Sequence, residues 1–74
     1  MVPTLDLTDI EIEEVENEVE KFLSAWVGKH LFTYFVIGDS KTLSQLVLKV
    51  VTAKELEYMT DMPGYPGKIR VVMM

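Results

Sequence analysis

The spacing of hydrophobic and polar positions predicts one long amphipathic helix near the start of the chain. Its apolar residues recur at helical intervals: Ile12, Val15, Val19, Phe22, Leu23 and Trp26. They form a stripe about 100° wide, which is typical of a helix that packs on a core. Thr8 and Glu11 have the spacing of a capping box, and Leu7 and Ile12 that of a hydrophobic staple. Gly28 stands where a glycine commonly ends a helix.

The pattern after this helix favours strands. The segment "LFTYFVI", residues 31–37, is aromatic and β-branched. "GDSK" has the chemistry of a hairpin turn, and "TLSQLVLKVV", residues 42–51, alternates well enough to form the partner strand. A helix with Leu43, Leu46, Val47 and Val50 on one side is the alternative. The density of Val and Thr favours the strand.

The remaining sequence predicts a short helix and a last strand. Thr52 and Glu55 repeat the capping-box spacing, which predicts a helix from Ala53 to about Asp61. The loop "PGYPG" then turns the chain into "KIRVVMM", a strand by composition. A phosphate-binding loop would continue into Ser or Thr and a helix, whereas Gly67 and Lys68 lead into this strand. We therefore interpret residues 63–67 as a corner.

These elements predict an α+β fold in a single small domain, residues 1–74. The expected sheet is small and antiparallel, with three or four strands and with one long and one short helix on one face. A strand within residues 2–7 would complete a βαββαβ order, the split-βαβ or ferredoxin-like arrangement. Pro3 argues against a central strand there, although proline is tolerated at the first residue of a strand. Without that strand the sheet has three strands.

Composition restricts the chemistry that the chain can support. A chain of 74 residues buries a thin core, and small domains are often stabilised by disulfides, metals or partner subunits. The sequence has no cysteine and a single histidine, His30, so it offers no disulfide and no usual zinc ligand set. His30 has no Ser or Cys companion in a nucleophile motif. We expect no cofactor, no metal and no enzyme activity, and we expect a homo-oligomer.

The charge distribution is more informative than the net charge of −5. Residues 1–20 hold eight acidic residues and no basic one, whereas the seven basic residues are scattered over the rest. Nucleic-acid binding is disfavoured because phosphate contacts need clustered Lys and Arg. Glu13, Glu16 and Glu20 on one flank of the helix form a candidate acidic docking face. No membrane-spanning or secretion segment is recognisable, so we expect a cytoplasmic protein that binds no membrane.

The aromatic residues suggest where a partner would bind. Phe32 and Tyr34 share one face of their strand, and one layer of helices covers only one side of a sheet. An uncovered apolar patch of this kind marks an interface. The last strand, if it lies at a sheet edge, offers unpaired backbone groups as well. The candidate interface residues are Phe32, Tyr34, Val47, Val72 and Met73. RNA stacking on such a face is disfavoured because the basic, glycine-rich signature of that module is missing.

Three functions follow as expectations. The first is a protein-interaction or adaptor module that self-associates through an open sheet face or its C-terminal edge strand. The second is an acidic inhibitor or nucleic-acid mimic that docks its first helix on a basic partner. The third is a small-molecule-binding regulatory domain.

Overall fold

The computed structural model describes residues 2–73 as a four-stranded sheet with two helices. The elements in chain order are β1 (Thr4–Asp6), α1 (Ile12–Trp26), β2 (Phe32–Val36), α2 (Lys41–Ala53), β3 (Glu57–Met59) and β4 (Lys68–Val72). The strand order in the sheet is β1-β2-β4-β3. β1 runs parallel to β2, and β4 runs antiparallel to both β2 and β3. The element order is therefore βαβαββ.

The predicted fold class, a small α+β sheet with two helices, is confirmed, and the sheet is mixed rather than antiparallel. The strand expected within residues 2–7 is present. It lies at the edge of the sheet, and Pro3 directly precedes it, a position that proline tolerates. The Pro3 carbonyl accepts hydrogen bonds from Tyr34 N (3.0 Å) and Thr33 Oγ1 (2.8 Å). These bonds join the start of the chain to β2.

The segment predicted as a second strand is the helix α2, so the strand over residues 42–51 was wrong. Ser40 caps this helix, and its Oγ accepts a hydrogen bond from Leu43 N at 3.1 Å. The buried residues of α2 follow helical spacing: Leu43, Val47, Val50 and Val51. Burial of this stripe outweighs the strand preference of Val and Thr. "GDSK" consequently leads into a helix and is not a hairpin turn.

The predicted short helix from Ala53 to Asp61 is also wrong. Thr52 lies in the last turn of α2 and caps no new helix. Glu55 follows with a positive φ of 57°, and Leu56 N donates to Val51 O at 3.1 Å. These features end α2 and turn the chain into the edge strand β3. The six residues after Ala53 therefore hold a turn and a strand, without a capping box.

The start of α1 also differs from the prediction. The helix begins at Ile12 with Glu11 as N-cap, and Thr8 makes no cap. Instead Asp6 Oδ1 accepts hydrogen bonds from Thr8 N (2.9 Å) and Thr8 Oγ1 (2.6 Å). Both bonds lower the pKa of Asp6, and the bond from the Thr8 hydroxyl has the larger effect. The predicted staple is absent, since Leu7 is buried and Ile12 is 49% exposed. Gly28 has φ +80° just after the helix, as expected.

Both helices pack on the same face of the sheet. The strand side chains that point to this face are buried: Thr33 and Phe35 on β2, and Ile69 and Val71 on β4. α1 contributes Val15, Val19 and Leu23 to the same core, and α2 contributes its buried stripe. The other face of the sheet receives no helix within residues 2–73. That uncovered face is the feature on which a functional site can be built.

Candidate functional site: the open face of the sheet

The open face is the side of the sheet that points away from both helices. Because side chains alternate along a strand, every second residue of β2 and β4 lies on it. Its central residues are Phe32, Tyr34 and Val36 on β2, and Lys68, Arg70 and Val72 on β4, all partly exposed. The strand register places Phe32 beside Val72, Tyr34 beside Arg70, and Val36 beside Lys68.

Three rings and two cations pack together on this face. We call Phe32, Tyr34, Tyr65, Lys68 and Arg70 the aromatic–cation cluster. The Tyr34 and Tyr65 rings are stacked, with centroids 5.6 Å apart and planes 8° apart. The Arg70 guanidinium carbon is 5.0 Å from the Phe32 centroid and 5.6 Å from that of Tyr34. Lys68 Nζ lies 5.9 Å from the Tyr34 centroid. These distances are typical of cation–π contacts.

The loop between β3 and β4 carries Tyr65 onto the sheet. Residues 63–67 turn the chain into its last strand, as predicted, although the loop joins two strands instead of a helix and a strand. Gly64 and Gly67 have φ of +83° and +69°, which other residues rarely adopt. The Gly67 carbonyl accepts hydrogen bonds from Ile37 N (2.8 Å) and Gly38 N (3.2 Å). The end of the loop is thereby fixed to the β2–α2 turn.

The cluster's two cations have no acidic partner in the described part of the chain. The salt bridges within residues 2–73 join Lys21 to Glu18, Lys49 to Glu16 and Lys54 to Glu20. None involves Lys68 or Arg70. The Arg70 Nε atom is also buried without a hydrogen-bond acceptor. The cations are therefore held by aromatic rings, and their charge stays available to an incoming acidic group.

Three of the five predicted interface residues come together on the open face: Phe32, Tyr34 and Val72. The other two predictions were wrong. Val47 is fully buried in α2, and Met73 is 2% exposed in the same core. The edge-strand prediction was wrong as well, because β4 pairs with β2 on one side and with β3 on the other. The backbone N–H and C=O groups of β4 therefore already form hydrogen bonds within the sheet.

The predicted acidic docking face is divided in the structure. Glu16 is 3.4 Å from Lys49 Nζ, and Glu20 is 4.0 Å from Lys54 Nζ. Only Glu13 of the three is exposed without a salt bridge among residues 2–73. Two of the predicted docking carboxylates thus face the chain's own lysines, Lys49 on α2 and Lys54 just after it, which reduces the charge that they offer to a basic partner.

Sequence reasoning missed Tyr65, Lys68 and Arg70 as members of the site. The alternation of "KIRVV" already puts Lys68, Arg70 and Val72 on one side of a strand. The sequence does not reveal that β4 pairs with β2, and this pairing brings the two cations next to the aromatic residues. Tyr65 had no periodic signal because it lies in a loop.

The remaining candidate features among residues 2–73 bring together fewer functional side chains than the open face does. The His30 ring packs edge to face on Trp26, with centroids 5.0 Å apart. Within residues 2–73 no group of three or more His, Cys, Asp or Glu side chains is arranged to hold a metal ion. A cavity of about 340 Å³ lies beside Gly38, Ser40 and Gly67. No helix in this range is long and apolar enough to cross a membrane.

Comparison with known proteins found no matching family model, no matching curated protein and no matching solved structure. The open face itself is therefore the basis for assigning a function.

Proposed function

We propose that this protein is a small protein-interaction module that self-associates through the open face of its sheet. The observation that carries the proposal is the aromatic–cation cluster on a sheet face that no helix of residues 2–73 covers. Aromatic residues and arginine are enriched in the parts of interfaces that contribute most to affinity.

The arrangement of the rings favours a protein partner over single-stranded nucleic acid. Base stacking needs a bare ring face. Arg70 lies over Phe32 and Tyr65 stacks on Tyr34, so the two sheet rings are covered and a base could stack only on the loop ring of Tyr65. Two cations on this face also provide few phosphate contacts. A protein partner requires neither a bare ring face nor many cations, since it can pack against the aromatic–cation cluster as a whole.

The test is the solution mass of the protein over a concentration series, measured by sedimentation velocity. We expect the wild-type mass to rise above that of one chain. Tyr34→Glu places a charge in the middle of the open face and should raise the dissociation constant about tenfold or more. Val72→Glu is a second variant on the same face. Circular dichroism shows whether each variant keeps its fold.

Tyr58→Glu is the matched control. Tyr58 is 44% exposed, but its neighbour across the strand pair is Val71, so it lies on the helix side of the edge strand β3. The control should therefore associate like the wild type. A wild-type protein that stays monomeric at every concentration contradicts the proposal. So does equal loss of association in Tyr34→Glu and Tyr58→Glu.

A further inference from the structure

The two cations in the middle of the open face make a symmetric face-to-face dimer unfavourable. In a two-fold interface the centre of the surface meets its own copy. Arg70 is the middle residue of β4, one of the two interior strands, and Lys68 lies on the same face. Face-to-face packing would bring these unpaired cations toward those of the second copy. A surface that carries carboxylates would complement them instead.

The same chain has such a surface at the beginning of α1. We call Asp9, Glu11, Glu13 and Glu14 the acidic helix start. All four are exposed, and none forms a salt bridge within residues 2–73. Ile12 lies among them in the sequence and is 49% exposed. The carboxylates that pair with Lys49 and Lys54, Glu16 and Glu20, lie further along α1.

The shape of this region also suits the open face. A hollow of about 430 Å³ adjoins the acidic helix start, and its lining includes Ile10, Ile12 and Leu43. On the open face, Tyr65 is 40% exposed at the outer side of the ring stack. The exposed Tyr65 ring has both cations within 6.0 Å of its centroid, and the hollow offers it apolar side chains together with the carboxylates of Asp9 and Glu11. Exposed ion pairs contribute little affinity alone, so the ring in the hollow has to supply most of it.

We infer that self-association is head to tail, with the acidic helix start of one copy seated on the aromatic–cation cluster of the next. This inference rests on the proposed self-association and names the second surface that it uses. Because the two surfaces differ, an open assembly has a free acidic helix start at one end and a free aromatic–cation cluster at the other. Such contacts build rings or open filaments, whereas a face-to-face dimer stops at two chains.

The experiment uses two variants that each lose one surface. Tyr34→Glu loses the open face and keeps the acidic helix start. Glu11→Gln/Glu13→Gln/Glu14→Gln loses the acidic surface and keeps the open face. We expect each variant alone to have the mass of one chain. An equimolar mixture should give a complex of two chains that grows no further. Wild-type mass should rise past two chains, and added salt should weaken the association.

A spectroscopic readout identifies the surface that is touched. Arg70 is the only arginine in the chain, so its side-chain Nε–H group gives a single resonance. In the mixture the Gln variant alone carries ¹⁵N, and its Arg70 Nε–H resonance should shift when unlabelled Tyr34→Glu is added. Glu18→Gln/Glu55→Gln is a control for lost acidic charge and should self-associate within about twofold of wild type.

Ile12→Ser provides an independent variant in case the Gln substitutions weaken the helix, and it should combine with Tyr34→Glu in the same way. The inference is overturned if wild-type association stops at two chains, or if the Gln and Ser variants associate as the wild type does. It is also overturned if the mixture gives no complex and no shift. If Tyr34→Glu still weakens association in these cases while Tyr58→Glu does not, the proposed function stands and the head-to-tail contact alone fails.

Discussion

The contact between Gly67 and Gly38 permits a quantitative test of the structure. A β-carbon built on Gly67 would lie 3.1 Å from Gly38 Cα, 3.2 Å from Gly38 O and 3.3 Å from Gly38 N. All three neighbours are backbone atoms, which cannot rotate away as a side chain can. Gly67 also has a φ of +69°, where residues with a side chain are strained. Gly67→Ala therefore adds a steric cost to a conformational one.

Gly64→Ala separates these two costs. Gly64 has a similar φ of +83°, but a β-carbon there would have no neighbour within 4 Å. The left-handed conformation costs about 1–2 kcal/mol, and the stiffer unfolded chain of the alanine variant offsets about 0.4–1 kcal/mol of it. We therefore expect Gly64→Ala to lower the free energy of unfolding by no more than about 1.6 kcal/mol. Overpacking adds about 1–3 kcal/mol for Gly67→Ala.

The assay is equilibrium unfolding in urea, followed by circular dichroism at one fixed protein concentration because the protein is expected to self-associate. The difference between the two variants isolates the steric cost. If both lower the free energy of unfolding equally, the close approach of the Gly67 and Gly38 backbones is refuted.

Two further variants test local hydrogen bonds. Ser40→Ala removes the cap of α2 and should lower the free energy of unfolding by about 1 kcal/mol. Ser24→Ala, on the exposed side of α1, is the control and should be nearly neutral. Equal effects of the two substitutions would contradict the capping role of Ser40. The hydrogen bonds from Thr8 lower the pKa of the Asp6 carboxyl group from its ordinary value of 3.8. The Asp6 carboxylate therefore stabilises the fold above about pH 4, and this stabilisation is lost as the pH falls through the lowered pKa of the folded state. The difference in melting temperature between wild type and Asp6→Asn should therefore shrink below pH 4, and a constant difference would refute this coupling.

The sequence predicted the elements whose signals agree with one another. α1 has an uninterrupted helical stripe, and β2 and β4 combine strand composition with flanking turns. In α2 two signals conflicted, because Val and Thr favour a strand while the spacing of Leu43, Val47 and Val50 favours a helix. Burial against the sheet decided for the helix. Ser40, followed by this spacing, was the local signal that could have identified it.

The capping-box spacing was misleading at both places where it occurred. Thr8 bonds to Asp6, and Thr52 lies inside the last turn of α2. Two residue types at a fixed distance are common by chance, and the tertiary structure decides whether they cap a helix. The pattern is more reliable when the apolar periodicity begins at the same residue.

The site was predictable only where it depends on alternation within one strand. Phe32 and Tyr34 share a face in any strand that contains both. Their approach to Arg70 depends on the pairing of β2 with β4, which lie far apart in the sequence. The stacking of Tyr65 on Tyr34 depends further on the path of a loop. Such non-local contacts leave no periodic signal in a single sequence.

The interior position of β4 sets an order of events during synthesis of this chain. β3 joins the sheet through β4, and β2 has β4 as its second neighbour. While residues 68–72 are still inside the ribosome, β2 keeps an unpaired edge and β3 has no strand to pair with. Helices α1 and α2 can form earlier, but the surface on which they pack is incomplete. The nascent chain thus lacks Ile69 and Val71, the part of the helix-facing core that β4 supplies, until this strand emerges.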